Sequence, residues 1–187
     1  MKMKKQIALI IIAAMAINLQ IQAQKYITKN GKIHFYSTAP AEKIEAFNNQ
    51  VNSALDISNG DFIFRVLMKS FQFEKALMQE HFNENYVESH KFPNATFTGT
   101  VTNLNEIDFQ KSGTYQAKIE GDLTIHGMTQ KISEQGTFEV KDDKIHGKST
   151  FYVAVADYDI KIPQAVITNI AEKIEVNVDI LLEPLNK

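Results

Sequence analysis

Residues 113–127, Gly-Thr-Tyr-Gln-Ala-Lys-Ile-Glu-Gly-Asp-Leu-Thr-Ile-His-Gly, alternate almost without fault between two faces of an extended chain. Tyr115, Ala117, Ile119, Gly121, Leu123 and Ile125 fall on one side. Thr114, Gln116, Lys118, Glu120, Asp122, Thr124 and His126 fall on the other. Side chains of a β-strand point alternately to opposite faces, so this segment reads as one long strand with a dry and a wet face.

The same alternation spreads outward from it. Upstream, Ala95–Leu104 sets Phe97, Gly99 and Val101 against Thr96, Thr98, Thr100 and Thr102. Asp61–Phe71 places Phe62, Phe64, Val66 and Met68 together, with Ile63 and Leu67 making its outer face partly apolar. Downstream, Lys131–Val140 and Lys144–Val155 carry Gly136, Phe138, Val140, Phe151, Val153 and Val155 on their dry faces. Glu172–Leu182 closes with Ile174, Val176, Val178, Ile180 and Leu182. Gly127-Met128 and Asp142-Asp143 read as turns. Near the start, Tyr26–Thr28 and Lys32–Thr38 flank Lys29-Asn30-Gly31, where Asn-Gly favours a tight hairpin. A weaker strand runs over Lys43–Gln50, its parity left open by Ile44, Ala46 and Phe47.

Two stretches break the rhythm. Glu74–Phe82 fits a short helix with an apolar side, followed by a surface connection ending at Pro93. Residues 164–171 allow a second short helix. The count is about eight antiparallel strands in an all-β domain, stacked as a sandwich or closed into a barrel. Interior glycines at 99, 121, 136 and 147 favour closure, because glycine permits sharp coiling of long strands.

The first residues speak of export. Lys2, Lys4 and Lys5 precede an apolar run from Ile7 to Ile17, then Ile21-Gln22-Ala23-Gln24. A basic start, a short apolar run and a small residue before a plausible cut match a signal peptide over residues 1–23, leaving one domain over 24–187. A retained N-terminal anchor is the rival reading. No other segment approaches the ~20 apolar residues of a membrane span. The leader takes three Lys and no acid with it, so the remainder is more acidic than the full chain at −2. That balance, without a basic stripe, argues against a nucleic-acid partner. The absence of Cys removes disulfides, metal thiolates and a Cys nucleophile.

Gly121-Asp122-Leu123-Thr124-Ile125-His126-Gly127-Met128-Thr129 resembles a segment of the YceI-like family of exported bacterial proteins, a glycine leading into Leu-Thr and then a His-Gly-hydrophobic-Thr turn. Lys91-Phe92-Pro93-Asn94-Ala95-Thr96-Phe97 is similar to that family's entry to its central strand, and Asp157-Tyr158-Asp159-Ile160 agrees too. The resemblance covers residues 25–183. It implies a lipocalin-like antiparallel barrel whose apolar pore holds a long-chain lipid, polyisoprenoids being the type ligands. It also implies a periplasmic or otherwise extracytoplasmic location, and links to stress responses and isoprenoid-quinone processes. Asn48, Asn49 and Asn52 make the early strand more polar than the resemblance implies.

Apolar stripes usually just pack, so periodicity alone favours an ordinary core, whereas the resemblance favours a ligand pore. The candidate lining is Phe35, Phe62, Phe64, Val66, Met68, Phe97, Tyr115, Ile119, Leu123, Ile125, Phe138, Phe151, Val153, Val176 and Val178. Phe73, Leu77 and Phe82 join it if the helical insertion is a lid; otherwise the insertion plugs one end.

Catalytic signals are weak. His34, His81, His90, His126 and His146 show no HExxH and no close pair at ligand spacing. His126 and His146 read as surface or turn residues, while His81 and His90 could approach each other near the insertion. Glu88-Ser89-His90 offers an acid, a nucleophile and a base as neighbours, but triads assemble through the fold. No phosphate loop, nucleotide fingerprint, metal set or cofactor motif stands out.

Three readings follow. The first is a carrier of a hydrophobic lipid without turnover. The second is an enzyme on a hydrophobic substrate using polar interior groups such as Ser37, Tyr115 or Ser149. The third is an envelope interaction or stress protein with a filled core, whose outward Ile63, Leu67 and Tyr152 would form a patch or a homodimer face.

Overall fold

The computed structural model describes residues 24–185; the expected signal peptide, residues 1–23, lies outside them. Nine strands follow in order: β1 (Lys25–Thr38), β2 (Lys43–Asp56), β3 (Asp61–Leu67), β4 (Gln72–Phe73), β5 (Asn94–Val101), β6 (Gly113–Ile125), β7 (Met128–Lys141), β8 (Lys144–Ala154) and β9 (Lys173–Pro184). Eight long strands pair antiparallel around a closed circuit, and two-residue β4 is appended to β2. β1 seals the barrel by pairing β2 on one edge and β9 on the other.

The dry and wet faces of the central strand lie as its sequence reads. Ala117 is buried and Ile119, Leu123 and Ile125 face inward, while Gln116, Lys118, Glu120 and Asp122 are exposed. Both hairpins flanking β7 turn on two residues with positive φ, His126-Gly127 (51° and 76°) and Asp142-Asp143 (50° and 57°), as type I′ turns require. The first turn therefore sits one residue earlier than expected.

At Gly99 and Gly121 the sheet needs glycine for lack of room. The two are direct partners across β5 and β6. A Cβ on Gly121 would stand 2.5 Å from the Gly99 Cα and 2.8 Å from the Phe97 ring, which lies over the pair. The ring covers the bare backbone and lets the sheet coil tightly there.

Several expected elements are redrawn. Lys29-Asn30-Gly31 makes no hairpin: β1 runs straight through it, with register shifts on either side of Gly31. A Cβ on Gly31 would meet Ile180 at 2.7 Å, so the small residue serves an inward bulge. β2 extends to Asp56 and changes parity at Asn49-Gln50, both exposed between buried Asn48 and buried Val51. That bulge is why no single alternation fits the segment. Asn48 is fully buried yet satisfied, donating to the Leu67 carbonyl and accepting from Gln50 N–H. Asn49 and Asn52 point to solvent.

β3 stops at Leu67 because a 3-10 turn over Met68–Ser70 redirects the chain into the insertion. Helix α1 is short, Ala76–His81, and continues as a π-helical turn over Phe82–Tyr86. The connection to β5 is no mere surface loop, since Val87 and Ser89 are buried. Residues 164–171 carry only a 3-10 turn, Gln164–Val166.

The core divides in two. Tyr26, Leu55, Phe62, Ile107, Phe109, Phe138, Ile145 and Leu182 fill one end of the barrel. Ala46, Val51, Val66, Met68, Phe71, Val87 and Ala95 pack near the other, beneath the insertion. The barrel is a cup with an aromatic floor and not an open tunnel. No helix among the described residues is long and apolar enough to cross a membrane.

Gly121→Val should lower stability by about 2 kcal/mol or more through overpacking, because backbone and not a flexible side-chain end occupies the space. The urea midpoint, compared with that of Thr114→Val on the wet face, measures it.

Candidate functional site

Above the floor lies a cavity of about 300 Å³. Its walls come from Ile33 and Phe35 of β1, Val66 of β3, Ala95 of β5, Leu123 and Ile125 of β6, Phe151 and Val153 of β8, and Ile174 and Val176 of β9. The insertion covers one side with Met68, Phe71, Phe73, Met78, Phe82, Tyr86 and Val87. The β8–β9 connection covers the other with Val155, Ile160, Ile162, Val166 and Ile170. A second space of about 100 Å³ lies deeper, among Phe62, Phe64, Phe97, Ile119, Phe138 and Val178. The two share Ile33, Val66, Ala95, Leu123 and Phe151 as wall.

Sixteen of the eighteen candidate lining residues therefore border one space or the other. Two do not. Leu77 sits on the outer face of α1, 61% exposed, while its neighbour Met78 turns inward. The helix is too short to bury two adjacent positions. Tyr115 belongs to the wall of the packed floor, its hydroxyl donating to the Lys111 carbonyl at 2.9 Å. Sequence reasoning put Val155 on a dry strand face but missed Ile160, Ile162, Val166 and Ile170, which follow no single strand or helix period.

Aromatic packing seats the insertion. Phe82 lies 5.7 Å from Phe35, 5.6 Å from Phe71 and 5.0 Å from Phe73, centroid to centroid, in tilted and edge-on pairs. Such pairs contribute about 0.5–1.5 kcal/mol each beyond the area they bury.

Polar groups fasten the rim. Glu42, in the β1–β2 turn, accepts from Lys75 Nζ at 3.0 Å and from Asn169 Nδ2 at 3.3 Å, tying together the three segments that surround the mouth. The Lys75 hydrogen bond, then that of Asn169, holds the Glu42 carboxyl below its ordinary range. Ala41 N–H donates to the Thr168 carbonyl and Ala171 N–H to Ser37 Oγ, reinforcing the same seam.

A second clasp centres on His126, a turn residue as expected but not a surface one. Its ring, with a side chain only 11% exposed, bonds the Tyr158 carbonyl through Nδ1 and Glu88 Oε2 through Nε2, each at 3.0 Å. Both partners, the Tyr158 carbonyl and the Glu88 carboxylate, are hydrogen-bond acceptors. Phe92 packs edge-on against the same ring at 4.7 Å. Glu88 also pairs with Lys91, and Lys91 first and His126 second push its carboxyl down to about 2. Glu88 thus finds its histidine 38 residues away and not in adjacent His90.

The three hydroxyls considered for chemistry are engaged structurally. Ser37 Oγ accepts from Ala171 N–H, Ser149 Oγ donates to the Gln135 carbonyl at 2.7 Å, and Tyr115 bonds Lys111. Among the described residues no three His, Asp or Glu gather as a metal site would need.

The YceI-like domain model matches residues 19–182. The chain belongs to the YceI-like family. No curated protein matches it by sequence. Solved structures with this fold include a polyisoprenoid-binding domain from Saccharophagus degradans implicated in plant cell wall breakdown, 13% identical, with a TM-score of 0.75 over 87% of this chain and 99% of that one. Burkholderia cenocepacia BcnA aligns at 13% identity and a TM-score of 0.64, covering 81% and 95% of the two chains. A Campylobacter jejuni YceI protein aligns at 16% and 0.52, covering 71% and 78%. The barrel of this chain is thus the YceI-like fold.

The Glu88 clasp carries a pH signature. A folded carboxyl held near 2 contributes stability that is complete above its ordinary range and is lost as pH falls from about 5 towards 2. Urea midpoints of the wild type and Glu88→Gln should therefore differ most near neutrality and converge by about pH 2.

Proposed function

We propose that this protein is an exported carrier or buffer that holds a long-chain isoprenoid-like lipid in the barrel interior and releases it chemically unchanged. The observation that carries the reading is the space above the aromatic floor. It is walled mainly by Val, Ile, Leu, Met and Phe, and its volume lies at the lower end of small-molecule pockets. The deeper space offers such a chain a continuation past Leu123 and Phe151.

The energetics suit a chain more than a compact polar substrate. Each CH₂ moved from water into a dry wall contributes about 0.8 kcal/mol, so ten contribute about 8 kcal/mol. That is comparable with an association cost of about 4–15 kcal/mol, and no specific polar contact is required. Binding of this kind tolerates variation in the chain. Met68 and Met78 suit it, since a thioether side chain adapts to irregular shapes. Release of an unchanged ligand accords with Ser37, Tyr115 and Ser149 being bonded to backbone partners.

Support for the isoprenoid class comes from the family and from the polyisoprenoid-binding domain that shares the fold. Support for export comes from the basic and apolar order of residues 1–23. Exchange would pass through the mouth, where the insertion and the β8–β9 connection meet at Glu42.

Native mass spectrometry of the protein from its own host, followed by organic extraction, tests the reading. A stoichiometric isoprenoid adduct is expected. A mass without adduct that persists after incubation with polyprenols and quinones overturns it. Leu123→Asp, which sets a charge in the wall common to both spaces, should abolish the adduct, as should space-filling Ile125→Trp. Leu77→Asp, on the outer face of α1, should leave it unchanged.

A further inference from the structure

Two neighbouring strands of the barrel separate over half their length. β7 and β8 pair from Lys141↔Lys144 to Gly136↔Ser149 and stop there, although β7 reaches back to Met128 and β8 runs on to Ala154. Their other edges stay paired over the same stretch, β7 to β6 as far as Met128 and β8 to β9 as far as Ala154. The wall is parted between residues 128–135 and 150–154.

Both ends of this slot are pinned. Where the ladder stops, Ser149 Oγ bonds the Gln135 carbonyl, and a Cβ on Gly136 would lie 2.6 Å from the Lys148 carbonyl. At the other end, Gln130 Nε2 bridges to the Asp157 carbonyl at 2.7 Å. Along the slot, Ile132 and Glu134 of β7 and Ser149 and Phe151 of β8 point inward yet are only half-buried. All four line the deeper space, and Glu134 is the one acid in that lining. Burial alone, with no hydrogen bond or neighbouring charge, pushes its carboxyl above the ordinary range. Lys148, the other charged residue that this space reaches, has its ammonium 3.9 Å from Asp179 on the outer face.

We propose that the parted β7–β8 edge is a lateral portal to the interior, and that Glu134 there receives the lipid's head group, selecting a neutral hydroxyl over a phosphate or carboxylate. A carboxyl oxygen that meets no other donor can accept from a hydroxyl, and burial that already disfavours one negative charge there disfavours a second still more. An anionic head would meet like charge in a poorly hydrated wall. The chain would then run from the slot past Phe151 into the larger space. This rests on the lipid-carrier reading, to which it adds a second, lateral entrance besides the mouth and a head-group class.

The protein has no cysteine, so Ile132→Cys gives a single thiol in the slot and Thr114→Cys one on the outer wall. Each variant is loaded with geranylgeraniol, the loading is checked by native mass spectrometry, and maleimide labelling is timed. Loading should slow labelling at 132 about tenfold and leave labelling at 114 unchanged. In parallel, wild type and Glu134→Gln are given geranylgeraniol and geranylgeranyl phosphate in competition. The wild type should favour the alcohol, and the variant's preference should narrow about tenfold, equivalent to about 1.4 kcal/mol. Full loading without protection at 132 overturns the portal. An unchanged preference in Glu134→Gln overturns the head-group assignment. A wild type that takes up neither lipid overturns the carrier reading and the portal with it.

Discussion

Everything in this molecule follows from β1 being hydrogen-bonded along both edges. Once that strand pairs β2 on one side and β9 on the other, the circuit of strands closes, and eight strands fix an interior only a few side chains across. What occupies that interior depends on which side chains reach it. At one end Tyr26, Phe62, Phe109 and Phe138 are large enough to meet across the axis. At the other, Val66, Ala95, Val153 and Val176 are not, and space remains. The division between packed core and open cavity is therefore a gradient of side-chain size along one barrel.

The elements above that space are held from both sides. Phenylalanine rings seat the insertion from within, and charged groups join the segments from outside. The carboxylates show how environment sets their roles. Glu42 and Glu88 are partnered at seams between segments and are pulled towards ionisation. Glu134 stands in an apolar wall without a partner among the described residues and is pushed the opposite way. Two of the three close the structure, and the third leaves a polar group available inside it.

Much of this was legible in the chain. The alternation of residues 113–125 and its repetition give the strands and their inward faces, since period two leaves no other arrangement for a long amphipathic stretch. The misses have physical causes. A bulge inserts residues without a polarity signal, so Asn30-Gly31 reads as a turn when it lies within a strand, and Asn49-Gln50 reverses the parity of β2. Leu77 is apolar and exposed because a helix of six residues presents few positions to the cavity. The Glu88–His126 pair joins loops 38 residues apart, a proximity that no local pattern encodes. The parting of β7 and β8 is equally silent, as each strand alternates normally through it.

The ladder that seals the barrel joins Tyr26 to Pro184 and Ile27 to Glu183. The first strand to be synthesised thus waits for the last before its second edge is covered. Pairings of such long sequence separation are slow to form, because loop-closure entropy must be overcome before any contact rewards it. A nascent chain can zip β5 to β9 hairpin by hairpin, yet it cannot become a container until its C-terminal strand exists. Until then it remains a string of local hairpins that is readily drawn out straight, as a chain threaded through a narrow channel must be.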